Sequence, residues 1–297
     1  MEMLKRFYNK SYKKLLILPA LMILFCFVYM FVFYQTHGDF IKKDISLTGG
    51  TSVTIYQKFD IISLEKNLVG KLSDLHIREV YDLTTREQKA IIIETTQDGQ
   101  ETKQILEDYL GYELTDENSS FEFTGSSLSK TFYKQLLFAI LLAFVFMAIV
   151  VFLIFKTFTP SVAVIISAFA DILMTLVTFN ILGFKMSTAG IVALLMLIGY
   201  SVDTDILLTN RLLKSHSSES TNKKIFGAFK TGMTMTLTAI VSVVISLLIV
   251  KSFSATLTQI FTVILIGLFF DIFNTLVTNA SLLKWYIEGK HGKISNI

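Results

Sequence analysis

Six stretches of this chain are apolar over a length that can cross a bilayer, at about 15–34, 135–155, 161–182, 187–209, 232–250 and 257–283. A bilayer core needs roughly 20 apolar residues at about 1.5 Å rise each. No other feature restricts the fold so strongly, because a lipid-exposed segment must satisfy its own backbone hydrogen bonds and therefore forms helices. A mean hydropathy of +0.58 with 17% charged residues agrees with a polytopic membrane protein. The first stretch exceeds a signal-peptide core and lacks a small-residue cleavage site after it, so it is expected to remain as an anchor.

Positive charge in short loops gives the expected orientation. Lys5, Arg6, Lys10, Lys13 and Lys14 precede the first span, and Lys156 follows the second. Arg211, Lys214, Lys223, Lys224 and Lys230 follow the fourth, and Lys284, Lys290 and Lys293 follow the sixth. The remaining short loops carry only Lys185 and Lys251. Both termini and the loop 210–230 are therefore expected on the cytoplasmic side of the cell membrane, and residues 35–134 outside. The expected division is 1–34 (tail and first span), 35–134 (extracytoplasmic domain) and 135–297 (spans two to six with the C-terminal tail).

Residues 35–134 carry 17 acidic and 11 basic side chains and read as a water-soluble domain. Alternating or β-branched runs predict strands at Ser52–Gln57, His76–Leu83, Gln88–Thr95 and Ser120–Thr124. Helical patterns fall at Ile61–Leu72 and Gln100–Leu110. This βαββαβ order is the ferredoxin-like split unit. The predicted fold class is thus mostly α, six transmembrane helices with an α+β domain between the first and second. The single cysteine, Cys26, excludes an intrachain disulfide or a cysteine metal site. His37 and His76 have no metal-spaced partner. No metal, cofactor, nucleic acid or enzymatic constellation is expected.

Four acids interrupt the spans: Asp171, Asp203, Asp205 and Asp271. An ionised Asp at a helix centre costs about 2.5–3.5 kcal/mol on insertion scales. No Lys or Arg lies at mid-depth in the stretches as drawn, so these carboxyls must be neutral, hydrogen-bonded or in contact with water. Thr231, Thr234, Thr236, Thr238, Ser242, Ser246, Asn274 and Asn279 supply donors. Residues two apart are about 200° around a helix, so Asp203 and Asp205 cannot share a face. Asp203 goes with Gly199, Tyr200 and Leu207; Asp205 goes with Ser201, Val202 and Thr209. The expectation is that Gly199 lets a neighbouring helix approach, that Asp203 points into the bundle, and that Asp205 meets interfacial water or Arg211.

These residues carry a family resemblance. One span, a large outer domain and five more spans is the layout of half an RND-superfamily transporter. Gly199-Tyr200-Ser201-Val202-Asp203 resembles the fourth-span signature of the SecF branch of the SecD/SecF family. Thr204-Asp205 follows where that family commonly continues Asp-Thr, and Asn210-Arg211 stands for its Asp-Arg. Ser46-Leu47-Thr48-Gly49-Gly50 is similar to the family's acidic-x-x-Gly-Gly start of the outer domain. The bacterial arginine of span five is absent from Lys230-Thr231-Gly232-Met233-Thr234, where Thr234 takes its place, as in the archaeal branch.

The resemblance implies a non-enzymatic accessory subunit of the Sec translocase. It would pair with SecD, act beside a SecY/SecE-type channel on a translocating polypeptide, contact membrane lipid, and couple export to protons through Asp203 with Asp171, Asp205, Asp271, Tyr200 and Thr234 as further candidates. A half-RND exporter of lipids or small amphiphiles is the alternative. An intramembrane aspartyl protease would need Tyr-Asp and Gly-x-Gly-Asp, and the chain has Ala170-Asp171 and Val202-Asp203 instead.

Overall fold

A computed structural model describes residues 12–82, 85–214, 221–252 and 254–294. Lys5, Arg6, Lys10 and Leu83 lie outside the described residues. Six helices are long and apolar enough to cross a membrane: Tyr12–His37, Ser126–Phe155, Phe158–Ile181, Thr188–Leu213, Lys223–Val250 and Ala255–Gly289. Within them run α1 (Ile17–His37), α5 (Ser126–Phe155), α6 (Phe158–Ile181), α7 (Thr188–Lys214), α8 (Thr221–Val250) and α9 (Ala255–Asn274). A π-helical segment, Thr275–Asn279, joins α9 to α10 (Ala280–Ile294).

Between α1 and α5 lie α2 (Ile45–Thr48), β1 (Gly50–Ile55), α3 (Ile61–Leu68), β2 (His76–Tyr81), β3 (Gln88–Thr95), α4 (Gly99–Leu110) and β4 (Ser119–Thr124). The four strands form one antiparallel sheet in the order β2-β3-β1-β4. That is the spatial order of the expected split unit. Val53 faces Ile93, and Ile55 faces Ile91, across the central pair. These four residues and Leu64, Leu68 and Leu106 of the covering helices form a core with at most 1% exposure. Asp60 and Asp98 cap α3 and α4 by accepting from Ile62 N and Gln100 N. Gly111 ends α4 in the left-handed region at φ 75°. The short helix α2 was not anticipated; Asp44 caps it, accepting from the Ser46 backbone N–H at 2.9 Å.

In the bundle, α6 and α7 are the most enclosed spans, with α9 beside them. Cys26 of α1 packs on Ala170, Met174 and Val177 of α6. Val151 and Phe155 of α5 pack on Val164 and Ala168 of α6 and Val202 of α7. Gly267 of α9 is the point of closest approach, because a Cβ there would overlap the Leu197 side chain of α7. No atom lies within 4 Å of where a Gly199 Cβ would stand, so Gly199 is not the packing glycine.

The sheet sits at one end of the bundle, held by the loops that join α6 to α7 and α8 to α9. Lys185 pairs with Asp74 at 3.0 Å, and Tyr81 N donates to Ser252 O at 2.9 Å. The opposite end is closed by Tyr12, Leu208, Leu212, Ile225 and Leu283. Lys284, read from the sequence as part of the C-terminal tail, is 1% exposed, with its ammonium 4.7 Å from the centre of the Tyr12 ring.

Candidate functional site

The centre of the bundle is polar. Asp171, Asp205 and Asp271 come from α6, α7 and α9 and are each at most 1% exposed. Ser201 Oγ donates to Asp171 Oδ2 at 2.5 Å, and Asn274 Nδ2 donates to Asp171 Oδ1 at 2.7 Å. Thr204 Oγ1 donates to Asp271 Oδ1 at 2.9 Å, with Thr275 on the same oxygen and Thr236 of α8 on the other. Asp205 Oδ1 accepts from Thr275 at 3.0 Å and Asn279 at 2.8 Å. Thr275 therefore bridges Asp205 and Asp271, and the three acids belong to one network.

Local structure explains the convergence. Ser201, Thr204 and Asp205 follow the three- and four-residue spacing of one α-helical face. The π segment widens one turn, so Asn274 reaches Asp171 while Thr275 and Asn279 reach Asp205. All hydrogen bonds given to these carboxyl groups come from Ser, Thr and Asn. Small hydroxyl and amide groups fit between close helices where a lysine stem does not.

The structure reverses the expected placement of the paired acids. Asp205 is at the centre, and Asp203 is exposed on the outside of α7 with Gly199 and Tyr200. The helical faces were grouped as the sequence says, but the inward one carries hydroxyls rather than the glycine. Arg211 turns away from Asp205 and donates to Gly227 O at 2.6 Å and to Thr231 Oγ1 at 3.2 Å. Thr234 is exposed and bonds Lys230 O within its own helix; Thr236, two residues on, is the one that meets Asp271. Tyr200, Lys230, Thr231, Thr234, Thr238 and Ser242 line an open groove of about 790 Å³ between α7 and α8. Ser167 and Thr275 were not singled out from the sequence; Ser201 was named in the signature and on the Asp205 face, but neither it nor Thr204 was read as a donor to a buried acid. Their signal was small hydroxyls one turn from an intramembrane acid.

Gly49 and Gly50 lie elsewhere, at the junction with the sheet domain. Both have positive φ, +85° and +146°. A Cβ on Gly49 would overlap Ser126 at the head of α5, and one on Gly50 would overlap Thr95 O of β3. Beside them, Ser46 Oγ donates to Asp44 Oδ1 at 2.6 Å and accepts from Thr188 N, the first residue of α7, at 2.9 Å. Met186 N donates to Lys42 O, and Asp44 N donates to Met186 O. Gln259 of α9 joins the same junction by donating to Lys185 O and accepting from Ser187 N. The chain entering β1 is thus fastened to the heads of α7 and α9, two of the helices that carry the buried acids. Burial pushes the Asp44 carboxyl up to about 6, against the lowering effect of the Ser46 bonds.

Comparison with known proteins places this arrangement. The family model for the protein export membrane protein SecD/SecF, C-terminal part, matches residues 105–289. The chain is 41% identical over 260 residues to protein-export membrane protein SecF of Methanocaldococcus jannaschii, covering 85% of this chain and 90% of that one. It is 30% identical over 295 residues to the SecF protein of Pyrococcus furiosus, covering 98% and 97%. Among solved structures, SecDF of Thermus thermophilus, a translocon-associated membrane protein, superimposes with a TM-score of 0.74 at 18% identity. That match covers 96% of this chain and 41% of the solved one, so the chain spans about two-fifths of its length.

Proposed function

We propose a function from one premise: the chain belongs to the SecD/SecF family of protein-export membrane proteins. It is a multi-pass membrane protein that acts as the SecF-type accessory subunit of a Sec translocase and promotes polypeptide export across the cell membrane. The observation that carries this reading is coverage. Nearly the whole chain, sheet domain and all six spans, corresponds to a SecF protein end to end, and to less than half of a SecDF chain.

The missing half is a SecD-type partner. The α7–α8 groove supports this, because Tyr200, Asp203, Thr231, Thr234, Thr238 and Ser242 are exposed on helices that cross lipid. Thr231, Thr234, Thr238 and Ser242 already donate to carbonyls of their own helix, but a carboxylate such as Asp203 on a lipid-crossing helix calls for another helix or water rather than acyl chains. Both termini and the loop 210–230 lie in the cytoplasm in this reading. Residues 35–134 face outward, where they meet the emerging polypeptide beside a SecY/SecE-type channel. The buried acids couple cation entry to export. Movement among α6, α7 and α9 reaches the sheet domain through Thr188, Ser46 and Gln259.

Co-purification from native membranes in mild detergent, with identification of the bound chains, tests this. A SecD-like chain and the translocon channel are the expected companions. A self-assembled trimer carrying lipid would replace this reading with that of a half-RND exporter.

A further inference from the structure

An apolar plug closes the end of the bundle away from the sheet domain. Leu208 and Leu212 of α7, Ile225 and Ala228 of α8, and Ala280 and Leu283 of α10 are buried there together. Leu208 and Ala228 also line a small cavity beside Asp271, with Thr204, Gly232, Thr236 and Thr275. The cavity measures about 10 Å³, at the margin of what one water needs. The plug is thus the layer between the polar centre and the water at that end. Its outer cover comes from another part of the chain. Tyr12 precedes α1, which packs along α6, yet the Tyr12 ring joins the plug and is 6% exposed.

Polar groups fasten that cover to α10. Tyr12 Oη donates to Glu288 Oε2 at 2.5 Å. The Lys284 ammonium stands 4.7 Å from the centre of the Tyr12 ring and 3.8 Å from Glu288 Oε1. Lys284 is 1% exposed, whereas the Glu288 side chain is 49% exposed. A buried ammonium is stable only while its partners stay in place, and an aromatic face is worth most to it where water is excluded. Without the Tyr12 ring, the long lysine stem can carry its head out to water. The plug then loses its cover and its buried charge in one step. The arrangement therefore has two states, one covered and dry, the other open and wet. Glu288, half in water, is the point from which the contact can be undone.

We propose that Tyr12, Lys284 and Glu288 form a clasp that holds the plug shut, and that its release lets water reach the cavity beside Asp271. Tyr12 is a positioning residue in this account. It lies outside the network of buried acids and acts on it through Leu208 and Ala228. The turn ahead of α1 thereby controls one entrance to the centre of α7, α8 and α9. The inference stands on the geometry of a single chain. It needs neither a partner nor an assignment of what the bundle carries.

The test is the reaction of a single cysteine with a small, positively charged methanethiosulfonate reagent on the full chain in lipid nanodiscs, where both membrane faces are open to it. Cys26→Ala removes the one native thiol. Thr236→Cys then reports on the cavity, since Thr236 lines it and is 1% exposed. Met186→Cys reports on the other end of the bundle, where Met186 is 0% exposed. Adding Tyr12→Ala should speed the reaction at Thr236→Cys by about tenfold, the effect of about 1.4 kcal/mol on the opening equilibrium, and leave that at Met186→Cys unchanged. Tyr12→Phe, which keeps the ring and loses the bond to Glu288, should speed it by less, as should Glu288→Gln. These two variants decide the matter if Tyr12→Ala does not fold. An unchanged rate at Thr236→Cys in every clasp variant, or an equal rise at Met186→Cys, would overturn the proposal. The reaction is read without SecD or export, so failure here leaves the co-purification result intact, and failure there leaves this result intact.

Discussion

The sheet domain and the membrane bundle bury opposite chemistry. The sheet domain hides Val53, Ile55, Leu64, Leu68, Ile91, Ile93 and Leu106. The bundle hides Asp171, Asp205 and Asp271, while Phe138, Phe146 and Leu153 of α5 stand 59%, 62% and 64% exposed. The solvent accounts for the inversion. In water, removing apolar surface drives folding at about 25 cal/mol per Å². Lipid is as apolar as leucine, so a buried leucine gains only packing there. What lipid cannot accommodate is a polar group, and such groups collect where helices can satisfy them. Truncating an apolar side chain should therefore be severe in one region and mild in the other.

The largest effect is expected for Leu106→Ala in α4. Leu106 is 0% exposed and packs in the sheet-domain core. Buried Leu→Ala substitutions cost about 2–5 kcal/mol. Hydrogen exchange on the full-length protein should show faster exchange at β1 and β3 amides and little change in α6 and α7. Equal acceleration in the bundle would mean that the two cores are one cooperative unit, and the contrast drawn above would fail.

The same contrast explains what could be read from the chain. Periodicity in the sheet domain is sharp because one face meets water, and the strand Gln88–Thr95 and helix α4 fall where the pattern places them. The apolar runs give six spans because a lipid-facing helix is apolar along its length. Donors such as Asn274, Asn279 and Thr236 were also visible. The inward face of α7 was not. Gly199 and Tyr200 look like a packing surface, yet nothing lies close to Gly199 and Tyr200 lines the open groove; the glycines that pack closely are Gly190, against Met186 and Gln259, and Gly267, against Leu197. Span periodicity fails here because both faces of α7 bear polar groups, one for this chain's own helices and one for the proposed partner. The π segment was equally hidden, since Thr275–Asn279 has no composition that separates it from an α-helical turn.

A smaller effect, of the order of 1 kcal/mol after solvent screening, is expected from pH at the junction of the two regions. Asp44 is half-buried beside Glu94 and Arg78, with Ser46 on its carboxyl, and its pKa rises from 3.8 to about 6. The folded junction then holds a proton that the unfolded chain has released. Its stability is greatest near pH 4, falls as pH rises towards 6, and is level above that. Exchange at the Ser46 and Thr188 amides, corrected for intrinsic rates, should slow between pH 7 and pH 5. Asp44→Asn should flatten that change. An unchanged profile in the variant would assign the pH effect to another group.

A smaller effect still should come from Ser201→Ala in the bundle. Ser201 is 1% exposed and donates to Asp171 Oδ2 at 2.5 Å. In water-soluble cores, losing a donor to a buried carboxyl is severe. In a membrane bundle such bonds average about 0.6 kcal/mol, because the separated helices also find partners. Asp171 keeps Asn274 on its other oxygen. Unfolding in mixed micelles should show a loss of about 0.6 kcal/mol for Ser201→Ala, and less than that for the lipid-facing Leu153→Ala. The order of the two matters more than either value. A larger loss at Leu153 would mean that apolar burial, not polar satisfaction, holds this bundle together, and that the two halves of the molecule obey the same rule.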